Sequence, residues 1–262
     1  MDWVIISPTD EEDCHPLTVF EKVDSAVYRV LNIHADYAQQ YLTVVKRFKQ
    51  DANPSTVLEY LSKHPANILA FGHGNTKAMG LNECKIWLDV NHIPEWVKGK
   101  NVVLVSCLTG VELGKKLAEK GANYYGLDNV GMLVAAKDAE FCRFFYADFI
   151  GLLEAAISLA NGYSEEEAAK RAKIRWKNEI EYWLNFYSEE EIKLTSKTVR
   201  CNSQLAQLLT TCMVHNMHSF VWFPPGGAET VNWGAVVGAL ALLSFIAVAF
   251  KAMEEKRKRV MV

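Results

Sequence analysis

The sequence predicts an α/β fold in which a parallel sheet is flanked by helices and followed by a C-terminal transmembrane helix. Three observations predict this class. Short apolar runs, such as those beginning at Asn67 and Asn101, alternate with helical patterns, which is typical of parallel crossovers. Half of the 262 residues are hydrophobic, so a full core can form. An uncharged apolar run also extends from Trp233 to Phe250.

The first part of the chain is expected to contain one strand and two or three helices. Asp2 to Ser7 is a short apolar run that ends at a proline, which predicts a strand. From about Thr18 to Lys49, apolar side chains recur at helical spacing and predict one or two helices. Asn53 followed by Pro54 is typical of the start of a further helix.

Two strands are predicted in the middle of the chain, and each is followed by a reactive residue. The first begins at Asn67 and leads into Gly72-His73-Gly74, and the second begins at Asn101 and leads into Ser106-Cys107. The region between them, 75–98, is expected to be a loop with small elements. Parallel strands in adjacent positions place their carboxyl ends side by side, so the imidazole and the thiol are expected to share one crevice.

A helix, another strand and a helical region are predicted after the second of these strands. Thr109 and Glu112 have the spacing of a capping box and are expected to open a helix that ends near Gly121. Residues 122–127 then predict a strand. Further helices are expected over 139–161, 164–187 and 202–220, with another helix start at 188.

The apolar run Trp233–Phe250 is interpreted as a membrane-spanning helix. Its 18 residues would rise about 27 Å, close to a hydrocarbon core of about 30 Å. A buried core helix is the alternative, but flanking tryptophans and a basic cluster favour a lipid bilayer as the partner. Gly234 and Gly238 form a Gly-x-x-x-Gly motif, which predicts a helix dimer unless these glycines only reflect their frequency in membrane helices.

The orientation of this segment stays open on sequence grounds. The basic tail favours a cytoplasmic C-terminus, which would place the large domain outside the cell. The cysteine usage and the lack of a visible signal sequence instead favour a single-pass C-terminal anchor with the catalytic domain in the cytoplasm. We expect the second arrangement.

Charge and cysteine content argue against several classes of partner. The net charge is −3, and because the tail from Lys251 carries +3, the rest carries −6, so no nucleic-acid partner is expected. The six scattered cysteines are interpreted mainly as free thiols, although a Cys14–Cys84 bridge stays open. Cys212, His215 and His218 lack the spacing of a helical zinc motif, so no metal is predicted, and no cofactor is expected.

His73 and Cys107 are the candidate catalytic residues. A thiol attacks as a thiolate, and a neighbouring imidazole is a common base. Cys107 is predicted to lie at a strand-to-helix turn, where the amides of the first helical turn favour a thiolate. The amides of Gly74 and Cys107 are the candidate oxyanion donors. Taken singly, the residues have plainer interpretations, as a buried thiol and a structural histidine.

The two motifs Gly72-His73-Gly74 and Ser106-Cys107-Leu108-Thr109-Gly110 together resemble those of caspase-like cysteine peptidases, in particular the CHAT and gingipain-type branches. The typical pattern is Gly-His-Gly and then Ser-x-Cys-x-Thr-Gly, so the serine here is one place nearer the cysteine. The resemblance covers about residues 2–183. It implies a caspase-hemoglobinase-like fold, a polypeptide substrate, His73 as general base and Cys107 as nucleophile.

Substrate preference is not apparent from the motifs. Relatives that cut after Arg or Lys often carry an acid two residues before the cysteine, where this chain has Val105. Asp128 is a candidate substrate-binding residue instead, and a solvated loop carboxylate is the alternative.

The predicted parts are a caspase-like domain with a helical extension at 1–222, a hinge at 223–230, a transmembrane helix at 231–250 and a basic tail at 251–262.

The function predicted from the sequence is therefore a membrane-anchored cysteine endopeptidase with a His-Cys dyad. One alternative is a catalytically silent caspase-like module for interaction or sensing on a membrane. Another is a flavodoxin-like binding domain in which the cysteine is merely packed.

Overall fold

A six-stranded sheet forms the centre of the fold in this computed structural model, which describes residues 1–9, 21–81, 85–133, 147–188 and 203–227. The strands are β1 (Asp2–Ile6), β2 (Thr43–Phe48), β3 (Asn67–Phe71), β4 (His73–Gly74), β5 (Ala78–Gly80), β6 (Ile86–Asp89), β7 (Asn101–Val105), β8 (Asn123–Leu127) and β9 (Phe220–Phe223). The helices are α1 (Glu21–Gln39), α2 (Pro54–Lys63), α3 (Leu113–Glu119), α4 (Ile150–Ala160), α5 (Glu165–Ser188) and α6 (Ser203–His218).

The order of the strands places β3 and β7 side by side in the sheet. The order is β2-β1-β3-β7-β8-β9, in which the first five strands are parallel and β9 is antiparallel to β8. Strands β4, β5 and β6 form a separate antiparallel sheet in the connection between β3 and β7. The chain therefore has a mostly parallel α/β sheet flanked by helices.

The core is divided between the two faces of the sheet because side chains alternate along each strand. On one face, Phe71 belongs to the same buried cluster as Trp176 of α5. On the other face, Ile68 clusters with Leu61 of α2 and Leu117 of α3. Strands covered on both faces are apolar throughout rather than alternating, which is why β3 and β7 were recognisable as continuous runs.

Buried asparagines begin three of the parallel strands and bind one another across the sheet. Asn67 Oδ1 accepts from Asn101 Nδ2 at 3.0 Å, and Asn123 Nδ2 donates to Asn101 Oδ1 at 2.6 Å. Trp222 Nε1 of β9 donates to Asn123 Oδ1 at 2.7 Å. This network fixes strand register at the amino edge of the sheet, opposite the edge at which His73 and Cys107 follow their strands.

The helical prediction for 18–49 is wrong in its second half. Helix α1 ends at Gln39, and Thr43–Phe48 forms the edge strand β2 beside β1. The β-branched Thr-Val-Val run at the start of β2 favours a strand. By contrast, α2 begins as predicted, and the Asn53 side chain accepts from the Thr56 amide at its amino end.

The predicted fold class, a parallel sheet plus a C-terminal transmembrane helix, is wrong as a description of the sheet. The sheet is mixed, because Phe220–Phe223 forms an antiparallel edge strand where the preceding helix was expected to reach residue 220. Among the described residues, no helix is both long and apolar enough to cross a membrane. The 24-residue α5 is long enough but carries charged side chains along its length, which are costly in hydrocarbon.

Several predictions fall on residues outside the described ranges. They are the transmembrane segment 231–250 with Gly234 and Gly238, the basic tail 251–262, the last three residues of the hinge 223–230, the first part of the helix expected over 139–161, the residues that follow 188 in the predicted helix start, and the Cys14–Cys84 bridge. The described part of 139–161 contains α4, and α5 matches the helix expected over 164–187.

Candidate active site

The ends of β3 and β7 bring the two candidate catalytic residues to neighbouring positions. The strands pair in parallel with Phe71 opposite Val105, and the Gly72 amide donates to the Val105 carbonyl at 3.4 Å. His73 and Cys107 each lie two residues beyond that pair. Both residues therefore occupy the carboxyl edge of the sheet on adjacent strands, as the sequence predicted.

Gly74 packs directly on the turn that contains Cys107. A β-carbon at Gly74 would lie 2.5 Å from the Cys107 carbonyl oxygen, 2.7 Å from Thr109 Cγ2 and 2.9 Å from Ser106 Oγ. Real β-carbons do not approach other atoms so closely, so only glycine fits here. The residue after His73 is thus in main-chain contact with the cysteine turn.

The His73 ring is positioned by the hairpin and by α1. His73 is paired with Gly80 in the β4–β5 ladder. Its ring meets the edge of the Tyr28 ring, with centroids 5.7 Å apart and planes at 87°. Tyr28 is buried and cannot easily move away, so this edge-to-face contact restricts the orientation of the imidazole. No sequence motif indicates this partner, because Tyr28 lies within a helical pattern of many apolar residues.

The Cys107 sulfur lies against the main chain of Gly131, in the loop after β8. The Gly131 amide donates to Cys107 Sγ at 3.3 Å, and Sγ lies 3.9 Å from the Gly131 carbonyl oxygen. Burial raises the pKa of the Cys107 thiol, and the contact with the Gly131 main chain opposes that rise only in part. The thiol therefore stays protonated at neutral pH unless a base accepts its proton.

The predicted capping box at Thr109 and Glu112 is wrong. Helix α3 begins only at Leu113, and the Glu112 side chain makes no capping hydrogen bond. The Thr109 hydroxyl instead pairs with Ser106 Oγ at 3.0 Å and accepts from the Tyr124 hydroxyl at 2.9 Å. The helix terminus expected to favour a thiolate is therefore not adjacent to Cys107.

A strained turn replaces the expected entry into the helix. Leu108, directly after the cysteine, has a φ of 59°, a conformation that residues other than glycine seldom adopt. Its amide donates to the Asn129 carbonyl at 2.9 Å. This bond and the Thr109 hydroxyl network hold Cys107 at a sharp turn above the sheet edge.

The two candidate oxyanion donors, the amides of Gly74 and Cys107, stay a prediction. The Asn75 amide bonds the Ala78 carbonyl, so the alternation of an antiparallel ladder directs the Gly74 amide away from β5. Within the described part of the chain, the Cys107 amide donates to no backbone carbonyl. Both features are compatible with donation to a ligand.

Asp128, the candidate substrate-binding residue, is half-buried at the end of β8. Burial raises the pKa of its carboxyl group, while its own amide and the nearby His215 oppose that rise. The Asp128 amide donates to the Ser219 carbonyl at 2.9 Å, which ties the residue to the chain between α6 and β9. Its role in substrate binding stays a prediction.

Two side chains of the set Cys212, His215 and His218 are either buried or bonded to the main chain. His215 Nε2 lies 2.7 Å from the Val130 carbonyl oxygen, and Cys212 is buried. Across the described ranges, no group of three His, Cys, Asp or Glu side chains is placed to hold a metal ion. Cys201, eleven residues before Cys212 and the fourth side chain that a zinc site could use, lies outside those ranges.

Comparison of the chain with protein-family models, with curated proteins and with solved structures found no match. The geometry at the carboxyl edge of the sheet is therefore the basis for a functional argument.

Proposed function

We propose that this chain is a cysteine endopeptidase of caspase-like fold in which His73 and Cys107 form the catalytic dyad. One observation carries the proposal: both residues follow adjacent parallel strands at the same sheet edge, and Gly74 is packed against the Cys107 carbonyl. A mostly parallel sheet flanked by helices is compatible with such a fold. The resemblance of the two sequence motifs to those of caspase-like cysteine peptidases supports peptide-bond hydrolysis as the reaction.

The dyad would act by nucleophilic catalysis. His73 accepts the thiol proton, and Cys107 Sγ forms a bond with the carbonyl carbon of the scissile peptide. The oxyanion is stabilised by the amides of Gly74 and Cys107. Collapse breaks the C–N bond, and His73 returns the proton to the leaving amine. Water, deprotonated by His73, then cleaves the thioester to give the new carboxylate and the free thiol.

The raised pKa of the Cys107 thiol makes a base necessary for this reaction. Desolvation disfavours the thiolate, and the Gly131 main chain compensates only in part. A neighbouring imidazole supplies the missing proton acceptor, and general-base assistance of this kind contributes about 100-fold or more to a rate. The dyad is therefore expected to work as a unit, so that removal of either side chain abolishes most activity.

A screen with fluorogenic peptides tests the proposal. The wild-type chain is expected to cleave some members of the set, while Cys107→Ala and His73→Ala lose that activity. Cys212→Ala is the matched control, because this buried thiol lies on α6, and it is expected to leave cleavage unchanged. Cleavage that persists in Cys107→Ala would contradict the proposal.

A second candidate function is a catalytically silent module for interaction or sensing. The burial that raises the thiol pKa favours it, because a protonated sulfur held against Gly131 is a poor nucleophile. Alkylation followed by mass spectrometry discriminates the two candidates. Faster labelling of Cys107 than of the other cysteines, slowed by His73→Ala, supports the peptidase, and equal labelling of all of them supports the silent module.

A further inference from the structure

The loop after β8 lies beside the sulfur and presents apolar side chains to solvent. We define residues 128–133 as the thiol loop. Its central residue, Gly131, contacts Cys107 Sγ through both its amide and its carbonyl group. The residues on either side of Gly131 are exposed, Val130 by 50% and Met132 by 37%. Two large apolar side chains that are partly exposed to solvent therefore flank the residue that contacts the candidate nucleophile.

The thiol loop is held in place by two consecutive residues of α6. His215 Nε2 bonds the Val130 carbonyl at 2.7 Å. The buried Asn216 accepts from the Met132 amide at 2.8 Å and donates to the Met132 carbonyl at 2.6 Å. The main chain on both sides of Gly131 is thus fixed beside the sulfur.

Charge in the thiol loop is confined to one residue. Asp128 is the only ionisable side chain between 128 and 133. It is half-buried, and burial disfavours its charged form by raising its pKa. Asp128 is thus the one ionisable side chain of the loop that could face a basic substrate side chain, whereas an apolar side chain could cover the exposed Val130 and Met132.

We propose that Val130 and Met132 form an apolar wall of the substrate cleft, so that the enzyme selects a peptide with an aliphatic side chain next to the scissile bond. This inference rests on the proposed peptidase function. One methylene group of apolar contact changes specificity by about 10-fold to 200-fold.

Active-site-directed probes test this inference. Three peptidyl acyloxymethyl ketones are made, identical except for Leu, Lys or Asp next to the reactive carbon, and labelling of Cys107 in the full chain is followed by mass spectrometry. The leucine probe is expected to react at least about 10-fold faster than the other two. In Val130→Glu/Met132→Glu, preference is expected to move to the lysine probe. The milder Val130→Ala/Met132→Ala is expected to reduce the preference for leucine.

Two controls separate specificity from folding and reactivity. Ile174 on α5 is exposed to about the same extent as Val130, and Ile174→Glu is expected to leave the preference for the leucine probe unchanged. Iodoacetamide, which has no peptide portion, is expected to label Cys107 at the same rate in the wild type and in the alanine variant.

The probe experiment can contradict either the apolar wall alone or the peptidase function as a whole. If the lysine probe is preferred by the wild type and the Val130 and Met132 variants do not alter this, the apolar wall is wrong while the peptidase function stands. If none of the three probes labels Cys107 faster than Cys212, and no peptide is cleaved, the peptidase function itself is wrong, and this inference is refuted with it.

Discussion

A buried histidine in α1 is expected to make the stability of the fold depend on pH. His34 is fully buried, its Nδ1 lies 2.8 Å from the Val30 carbonyl oxygen, and its ring packs against Phe149. Its Nε2 atom has no hydrogen-bond partner within the described ranges. Burial lowers the pKa of His34 to about 4, and the bond to Val30 opposes this only in part.

The magnitude follows from the difference between the folded and unfolded states. In the unfolded chain a histidine titrates near pH 6.5, whereas His34 in the folded chain titrates at about 4. Between these values the unfolded state binds more protons, so the free energy of unfolding falls as the pH falls. The contribution of neutral His34 to the free energy of unfolding is fully present above about pH 6.5. About 2 kcal/mol of this contribution is lost by pH 5, and about 3 kcal/mol is lost by pH 4.

Urea unfolding followed by tryptophan fluorescence measures this dependence. The comparison is between the wild type and His34→Leu, which has a similar volume and cannot titrate, from about pH 7.5 to about pH 5. The wild type is expected to lose about 2 kcal/mol more than the variant over this range. His92→Gln is the control, because the His92 side chain is 84% exposed. Equal losses in the wild type and His34→Leu would refute the reasoning.

Three further predictions concern the site and the sheet. Gly74→Ala places a methyl group against the Cys107 carbonyl, so peptide cleavage is expected to fall about 100-fold, and unchanged cleavage would contradict the packing. Thr109→Val leaves the Tyr124 hydroxyl without its acceptor, so urea unfolding is expected to show that the free energy of unfolding falls by about 1–3 kcal/mol, and no change would contradict this bond. Asn101→Ala breaks the asparagine network, and a loss of about 3 kcal/mol is expected in the same assay; a loss below about 1 kcal/mol would count against its structural role.

The strands that carry the candidate site could be predicted because their signal is local. Val-Val-Leu-Val in β7 is a continuous apolar run with β-branched residues, as a strand covered on both faces requires. Strand β2 was missed because its apolar residues happen to continue the helical spacing of α1. Strand β9 was missed because only Ser219 separates it from the end of α6, so one apolar stretch contains both elements.

The details around the sulfur could not be predicted, because their contacts are distant in sequence. Asn216 binds Met132 across 84 residues, and Gly131 meets Cys107 across 24. No sequence motif around Gly131 or Asn216 indicates these distant partners. The Thr109–Glu112 spacing matched a capping box by coincidence, because the hydroxyl of Thr109 satisfies Tyr124 and Ser106 instead. Local patterns thus located the candidate nucleophile but not the residues that surround it.

The central claim is that the imidazole of His73 activates the sulfur of Cys107, and the pH dependence of alkylation tests it most directly. Iodoacetamide labelling of Cys107 in the full chain is measured between about pH 5 and about pH 10, in the wild type and in His73→Ala. The wild type is expected to react about 100-fold faster than His73→Ala near neutral pH, and the two rates are expected to converge at high pH. Superimposable profiles for the two proteins would contradict it.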